Sequence, residues 1–160
     1  MSQQIIHGFD GLRALVGVDL PPTAWLAVDQ ARIDAFAACT GDAQWIHVDV
    51  ERARTGEYGA TIAHGYLVLA LIAPLWQEHF DVRGVGPVIN YGLDRVRFPA
   101  PVKAGSRIRA RFITTQATDV NGGLLVKKRV TLEAEGSAKP VCVADTLVLY
   151  RSGGVEAANS

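Results

Sequence analysis

The run from Ile62 to Phe80, IAHGYLVLALIAPLWQEHF, constrains the fold more than any other part of the chain. Its spacing predicts one long helix over 63–80. The apolar residues lie all round the axis instead of along one stripe, so such a helix has to be covered on both sides. Pro74 brings no backbone N–H and crowds the preceding turn, which predicts a kink or the end of the regular part. A bilayer span takes about 20 apolar residues. The apolar part, Ile62–Trp76, is shorter and is interrupted by His64 and Gly65, so a buried core helix is expected and no membrane partner.

The cover is supplied by the second half of the chain. Val88–Phe98, Ser106–Asp119, Leu124–Glu135 and Val141–Arg151 are long and rich in β-branched residues. Alternation is clear over Arg107–Ile113 and partial over Leu125–Leu132. Asn121-Gly122-Gly123 is a hairpin signal, because these residues tolerate positive φ. Residues 136–140 mark another turn. Strands joined by tight turns run antiparallel, so an antiparallel meander follows the helix. The expected fold class is α+β: a curved sheet wrapped around one long helix, with a second copy of the chain covering what remains.

The first third reads as helical with interruptions. Phe9, Leu12, Leu15 and Val16 recur at helical spacing, and Pro21-Pro22 ends that element. Ala24–Val28 is a short strand candidate. Asp29 is placed to cap a helix running to about Cys39, stopped by Thr40-Gly41. Asp49 is placed to cap a further short helix, Val50–Arg54, closed by Gly56. One domain is expected over 1–151, with a frayed, small and polar tail over 152–160.

Lys and Arg, 16 together, balance Asp and Glu, also 16. That excludes a nucleic-acid binder working by phosphate neutralisation. The two cysteines, Cys39 and Cys142, make no disulfide framework and read as two buried, reduced thiols in a cytoplasmic protein. Cys39 has a second reading as a nucleophile, being three residues before Asp42. Met1–Asp10 shows no basic segment followed by an apolar one, so no secretory leader is expected. His7, His47, His64 and His79 lack the paired spacing of a metal site. Arg95, Arg97, Lys103, Arg107, Arg109 and Arg111 form a basic strip read first as a solvated strand face.

The chemistry-bearing stretch is Thr40-Gly41-Asp42-Ala43-Gln44-Trp45-Ile46-His47, followed by Ile62-Ala63-His64-Gly65. A carboxylate and an imidazole can deliver and take protons, and a glycine at a helix start offers backbone N–H groups to a developing oxyanion. Taken alone, Asp42 reads as a turn residue and His47 as a core histidine.

Together these stretches resemble the MaoC-like dehydratase family, which includes the R-specific enoyl-CoA hydratases and has the hot-dog fold. Asn90–Val102 is similar to the family's strand after the helix, and the resemblance covers most of 25–150. It implies catalytic roles for Asp42 and His47 and an oxyanion role for Gly65. Gln44, Trp45 and His64 are further candidates for substrate contact, His64 having an alternative as a helix-start hydrogen-bonding residue. The family usually has Asn-Pro where this chain has Gln44-Trp45. The implied activity is reversible water addition to a trans-2-enoyl thioester, carried by CoA or an acyl carrier as substrate, with no cofactor. Two alternatives stand beside it: a hot-dog thioesterase, and a non-catalytic acyl-thioester-binding subunit. A homodimer is expected, because one sheet covers only part of the helix.

Overall fold

The computed structural model describes residues 3–153. The tail expected over 152–160 falls outside the described residues from 154 onward. A five-stranded antiparallel sheet is built from β2 (Leu26–Val28), β4 (Val88–Arg97), β5 (Ser106–Val120), β6 (Gly123–Ala134) and β7 (Cys142–Arg151). Its strand order is β2-β5-β6-β7-β4. The hairpin between β5 and β6 closes on Val120 opposite Gly123. Positive φ falls there on Gly122 alone, and Asn121 stays in ordinary space. Apolar residues alternate onto one face of each long strand. Ile108, Ala110 and Phe112 on β5, and Leu124, Val126, Val130 and Leu132 on β6, are almost wholly buried.

That inner face packs on the central helix, which is two pieces, α5 (Gly65–Ala70) and α6 (Ile72–His79). The expected helix over 63–80 is thus interrupted, as Pro74 predicts, and its bounds are corrected to 65–79. Leu71 sits at φ −69°, ψ −9° between the pieces. Three residues later Pro74 has no N–H to give the Ala70 carbonyl, and its ring would crowd that carbonyl in a regular helix. Leu67, Val68, Leu71, Ile72 and Leu75 join the sheet residues in one hydrophobic cluster. Each such side chain taken fully out of water contributes about 1.5–3 kcal/mol. Tyr66, by contrast, is 73% exposed. The sheet therefore covers one side of the helix and leaves the other open.

Around this core lie α1 (Gly8–Ala14), α2 (Gln30–Thr40), α3 (Trp45–Val48) and α4 (Val50–Arg54). Asp29 caps α2 by accepting from the Arg32 N–H at 2.9 Å, and Asp49 caps α4 through the Arg52 N–H at 3.0 Å. Two departures from the sequence reading concern strands. β4 pairs with β7, not with β5, so the chain crosses over between them and only β5-β6-β7 is a meander. In addition, β1 (Gln4–His7) pairs in parallel with β3 (Phe80–Arg83), closing the N-terminus onto the end of α6. Both are short segments flanking helices, where no alternation is long enough to register.

Candidate active site

Gly41 ends α2 in the left-handed region, at φ 79°, with its N–H donating to the Ala37 carbonyl at 2.9 Å. This turn delivers Asp42 to the surface, where its side chain is exposed. The single turn of α3 then points His47 inward, leaving it 7% exposed. Gln30 holds that turn in place. Its Nε2 donates to the His47 carbonyl at 2.8 Å, and its Oε1 accepts from the Thr61 hydroxyl. The segment 61–64 is fixed from both sides, Ile62 N–H donating to the Ile46 carbonyl and Ala63 N–H to the Val102 carbonyl.

These backbone positions decide the tautomers. His47 Nδ1 lies 2.7 Å from the Ile62 carbonyl. A carbonyl can only accept, so Nδ1 carries the hydrogen, and Nε2 of the neutral ring keeps its lone pair. His64 Nε2 lies 2.8 Å from the Asp42 backbone carbonyl and must likewise be the donor. Its Nδ1 is then a lone-pair acceptor, buried without a partner among the described residues. The two rings stack with centroids 3.8 Å apart. Ligand atoms of Asp42, His47 and His64 all lie within 4.8 Å of one another. Residues far apart in sequence thus make a group able to move protons or to hold a cation, which linear spacing of the histidines did not indicate. Among the described residues the Asp42 carboxylate accepts no hydrogen bond.

Directly after His64, Gly65 heads α5, where the first N–H groups of a helix have no partner within it. A Cβ on Gly65 would stand 3.0 Å from the ring of Phe98. Glycine here lets the Phe98 ring pack directly on the backbone at the head of α5. The remaining candidates are not gathered in. Trp45 turns its ring to Gly56 and lies under the Arg52 guanidinium at 4.2 Å. Gln44 is exposed and takes part through its backbone, its carbonyl accepting from the His47 N–H. Gln30 is the positioning residue that sequence reasoning missed. Within its own helix it shows only an ordinary one-turn contact, Nε2 donating to the Asp34 carboxylate at 2.7 Å, while the partners that matter to the site are a backbone carbonyl and a threonine 31 residues away.

The other sequence candidates separate cleanly. Cys39 is exposed, which corrects the expectation of two buried thiols, and only Cys142 is buried. Burial pushes the Cys142 thiol up to about 11. Arg107 pairs with Glu135, while Arg109 and Arg111 share Glu133. Their side chains form an ion-paired strand face, as the solvated reading expected. Asp94, on β4 and outside the sequence candidates, pairs with Lys127. No helix among the described residues is long and apolar enough to cross a membrane.

Residues 14–136 match the family model described as the MaoC like domain. The chain belongs to the MaoC-like dehydratase family. It is 47% identical over 140 residues to 3-hydroxyacyl-thioester dehydratase Z of Mycobacterium tuberculosis, covering 87% of this chain and 93% of that one. Nodulation protein N of Rhizobium leguminosarum is 40% identical over 139 residues, with 85% and 86% covered. Among solved structures, the unliganded R-hydratase PhaJ1 of Pseudomonas aeruginosa superposes with a TM-score of 0.70 at 23% identity, covering 91% of this chain and 86% of that one. This MaoC-like chain therefore has the hot-dog fold, with α5–α6 as the central helix and the five-stranded sheet around it.

Proposed function

We propose that this protein is a hydro-lyase that adds water reversibly to a trans-2-enoyl thioester, with Asp42 and His47 as the catalytic pair. The observation that carries the reading is the Asp42–His47 grouping at the head of α5, with the His47 tautomer held by the Ile62 carbonyl. A carboxylate oxygen and an imidazole Nε2 are both acceptors. A water between them gives one hydrogen to each and is left with a lone pair aimed at the electrophilic Cβ. As the C–O bond forms, the pair takes one proton from the water and returns one to Cα on the same face. The thioester oxygen, which becomes negative, is met by the Gly65 N–H at the positive end of the helix.

The substrate is a CoA or acyl-carrier thioester, and the steps call for no resident cofactor. The product is the R-3-hydroxyacyl thioester, as the family resemblance implies. One catalytic domain spans 1–151, the protein is cytoplasmic, and the working unit is a homodimer. Support for the dimer comes from β4, an unpaired edge on which Val88, Ile89, Tyr91 and Leu93 are all exposed. Against the thioesterase alternative, the central helix carries no acidic residue from Gly65 to Gln77, and Glu78 lies at its far end. The Asp42–His47 pair speaks against a non-catalytic subunit. Crotonyl-CoA tests the assignment. Loss of the absorbance of its conjugated bond, without free thiol, is the expected result. Thiol release with the double bond intact would overturn it.

A further inference from the structure

A cavity of about 240 Å³ runs beside the central helix, walled mainly by apolar groups that include Leu69, Ile72, Trp76, Leu93, Phe112 and Val148. One charged side chain lines it. Lys128 occupies an inward position of β6, on the face that otherwise reads Leu124, Val126, Val130 and Leu132, and it is 3% exposed. Its Nζ stands 3.3 Å above the Trp76 ring and donates to the Tyr150 hydroxyl at 2.8 Å. Among the described residues no carboxylate pairs with it. The polar groups flanking it continue across the sheet, since Lys128 is the register partner of Thr114 on β5 and Thr146 on β7. The Thr114 hydroxyl is fully buried and has no hydrogen-bond partner among the described residues.

This end of the cavity has a cation and no anion: among the described residues its other polar side chains are neutral hydroxyls and amides. An ammonium has three N–H donors and Tyr150 accepts from one of them, while the phenol keeps its own hydrogen to give. An alkyl terminus arriving here leaves N–H groups of this buried amine unpaired, which is costly. A carboxylate would accept from both Lys128 and Tyr150. Position agrees with this. Gly65 and Trp76 are eleven residues apart, about 16 Å along a helix. That is the reach of an extended chain of roughly a dozen carbon–carbon bonds of about 1.5 Å each, zigzag included.

We infer that this cavity takes an acyl chain ending in a carboxylate, and that Lys128, assisted by Tyr150, is the residue that selects it. The inference rests on the reading of the substrate as an acyl thioester and names its class: ω-carboxy enoyl thioesters of medium length. Burial pushes the Lys128 amine down to about 7, so an arriving carboxylate also restores its charge.

The test compares trans-2-dodecenoyl-CoA with trans-2-dodecenedioyl-CoA, which differ at the far end only. Wild type is expected to favour the dioyl substrate in kcat/KM by at least about tenfold, because a site built to pair a polar group rejects the analogue that lacks it. Lys128→Met, which fills the same space without charge, is expected to reverse the preference. Tyr150→Phe is expected to weaken it and serves if the first variant does not fold. A wild type that favours dodecenoyl-CoA, or a ratio that Lys128→Met leaves unchanged, overturns the proposal. Crotonyl-CoA is too short to reach Lys128 and reports on the hydration reading alone. Should it not be hydrated, calorimetry with saturated dodecanoyl-CoA and its ω-carboxy analogue decides the same question. Tighter binding of the carboxylate that Lys128→Met abolishes supports the selection, and equal binding refutes it.

Discussion

At the scale of single residues, three positions carry definite expectations. Lys128 costs stability where it must be charged. Its pKa falls from the ordinary 10.5 to about 7 on burial. Between those values the unfolded chain binds more protons than the folded one, so stability rises with pH across that window, and below it the full cost remains. The rise should be read short of pH 10, where the Tyr150 phenol, pushed up by burial, is protonated in both states. Urea midpoints should increase from pH 7 upward in the wild type, and Lys128→Met should lose this slope and be the more stable protein at neutral pH. Gly65→Ala must displace the Phe98 ring by a few tenths of an ångström. Alanine suits a helix, so the melting temperature should hold while kcat falls by about tenfold or more, as expected when an oxyanion donor is disturbed. Cys39 is exposed, and water addition needs no covalent intermediate. Cys39→Ser should keep most of the turnover, and a folded variant slower by orders of magnitude would bring back a thiol mechanism.

Elements were legible in the sequence where a local signal fixes them. Asp29 and Asp49 name their helices because a side-chain cap acts within three residues, and Gly41 stops α2 because no other residue enters the left-handed region so cheaply. The strands β5 and β6 were legible from alternation and from the Gly122 turn, and β7 from its β-branched content. The pairing of β4 with β7 was not, because partner choice in a sheet is a tertiary matter with no trace in the spacing. Likewise α3 is a single turn, held by Gln30 and Ile62 from outside, and four residues carry no periodicity. The same limit applied at the site. Asp42, His47 and Gly65 could be named from their order. That His64 would donate to the Asp42 carbonyl, and that Gln30 would tie down His47, depends on loops folding back on one another. Gln30→Ala should therefore remove at once the two hydrogen bonds that tie α2 to the site, to the His47 carbonyl and from the Thr61 hydroxyl, along with the exposed one to Asp34. Its signature is a lower kcat with crotonyl-CoA and a destabilisation of about 1–3 kcal/mol in urea unfolding, since the Thr61 hydroxyl is left buried.

The whole molecule presents one covered and one open side of the central helix. Tyr66, Phe98 and the β4 edge are exposed together. Sedimentation at micromolar concentration should give twice the mass of one chain, and a single-chain mass would refute the homodimer. The central claim is that Asp42 and His47 act as one unit on one water. Asp42→Asn keeps the shape and removes the carboxylate, and His47→Gln removes the imidazole. The decisive measurement is the hydration rate of crotonyl-CoA by wild type, both single variants and the double variant, each shown to be folded. Each single variant should lose roughly 10²–10⁴-fold in kcat, the usual scale for general acid–base groups. The double variant should be little slower than the slower single one, because groups that act together are strongly non-additive. Near-normal hydration by folded Asp42→Asn, or losses that multiply in the double variant, would contradict the account.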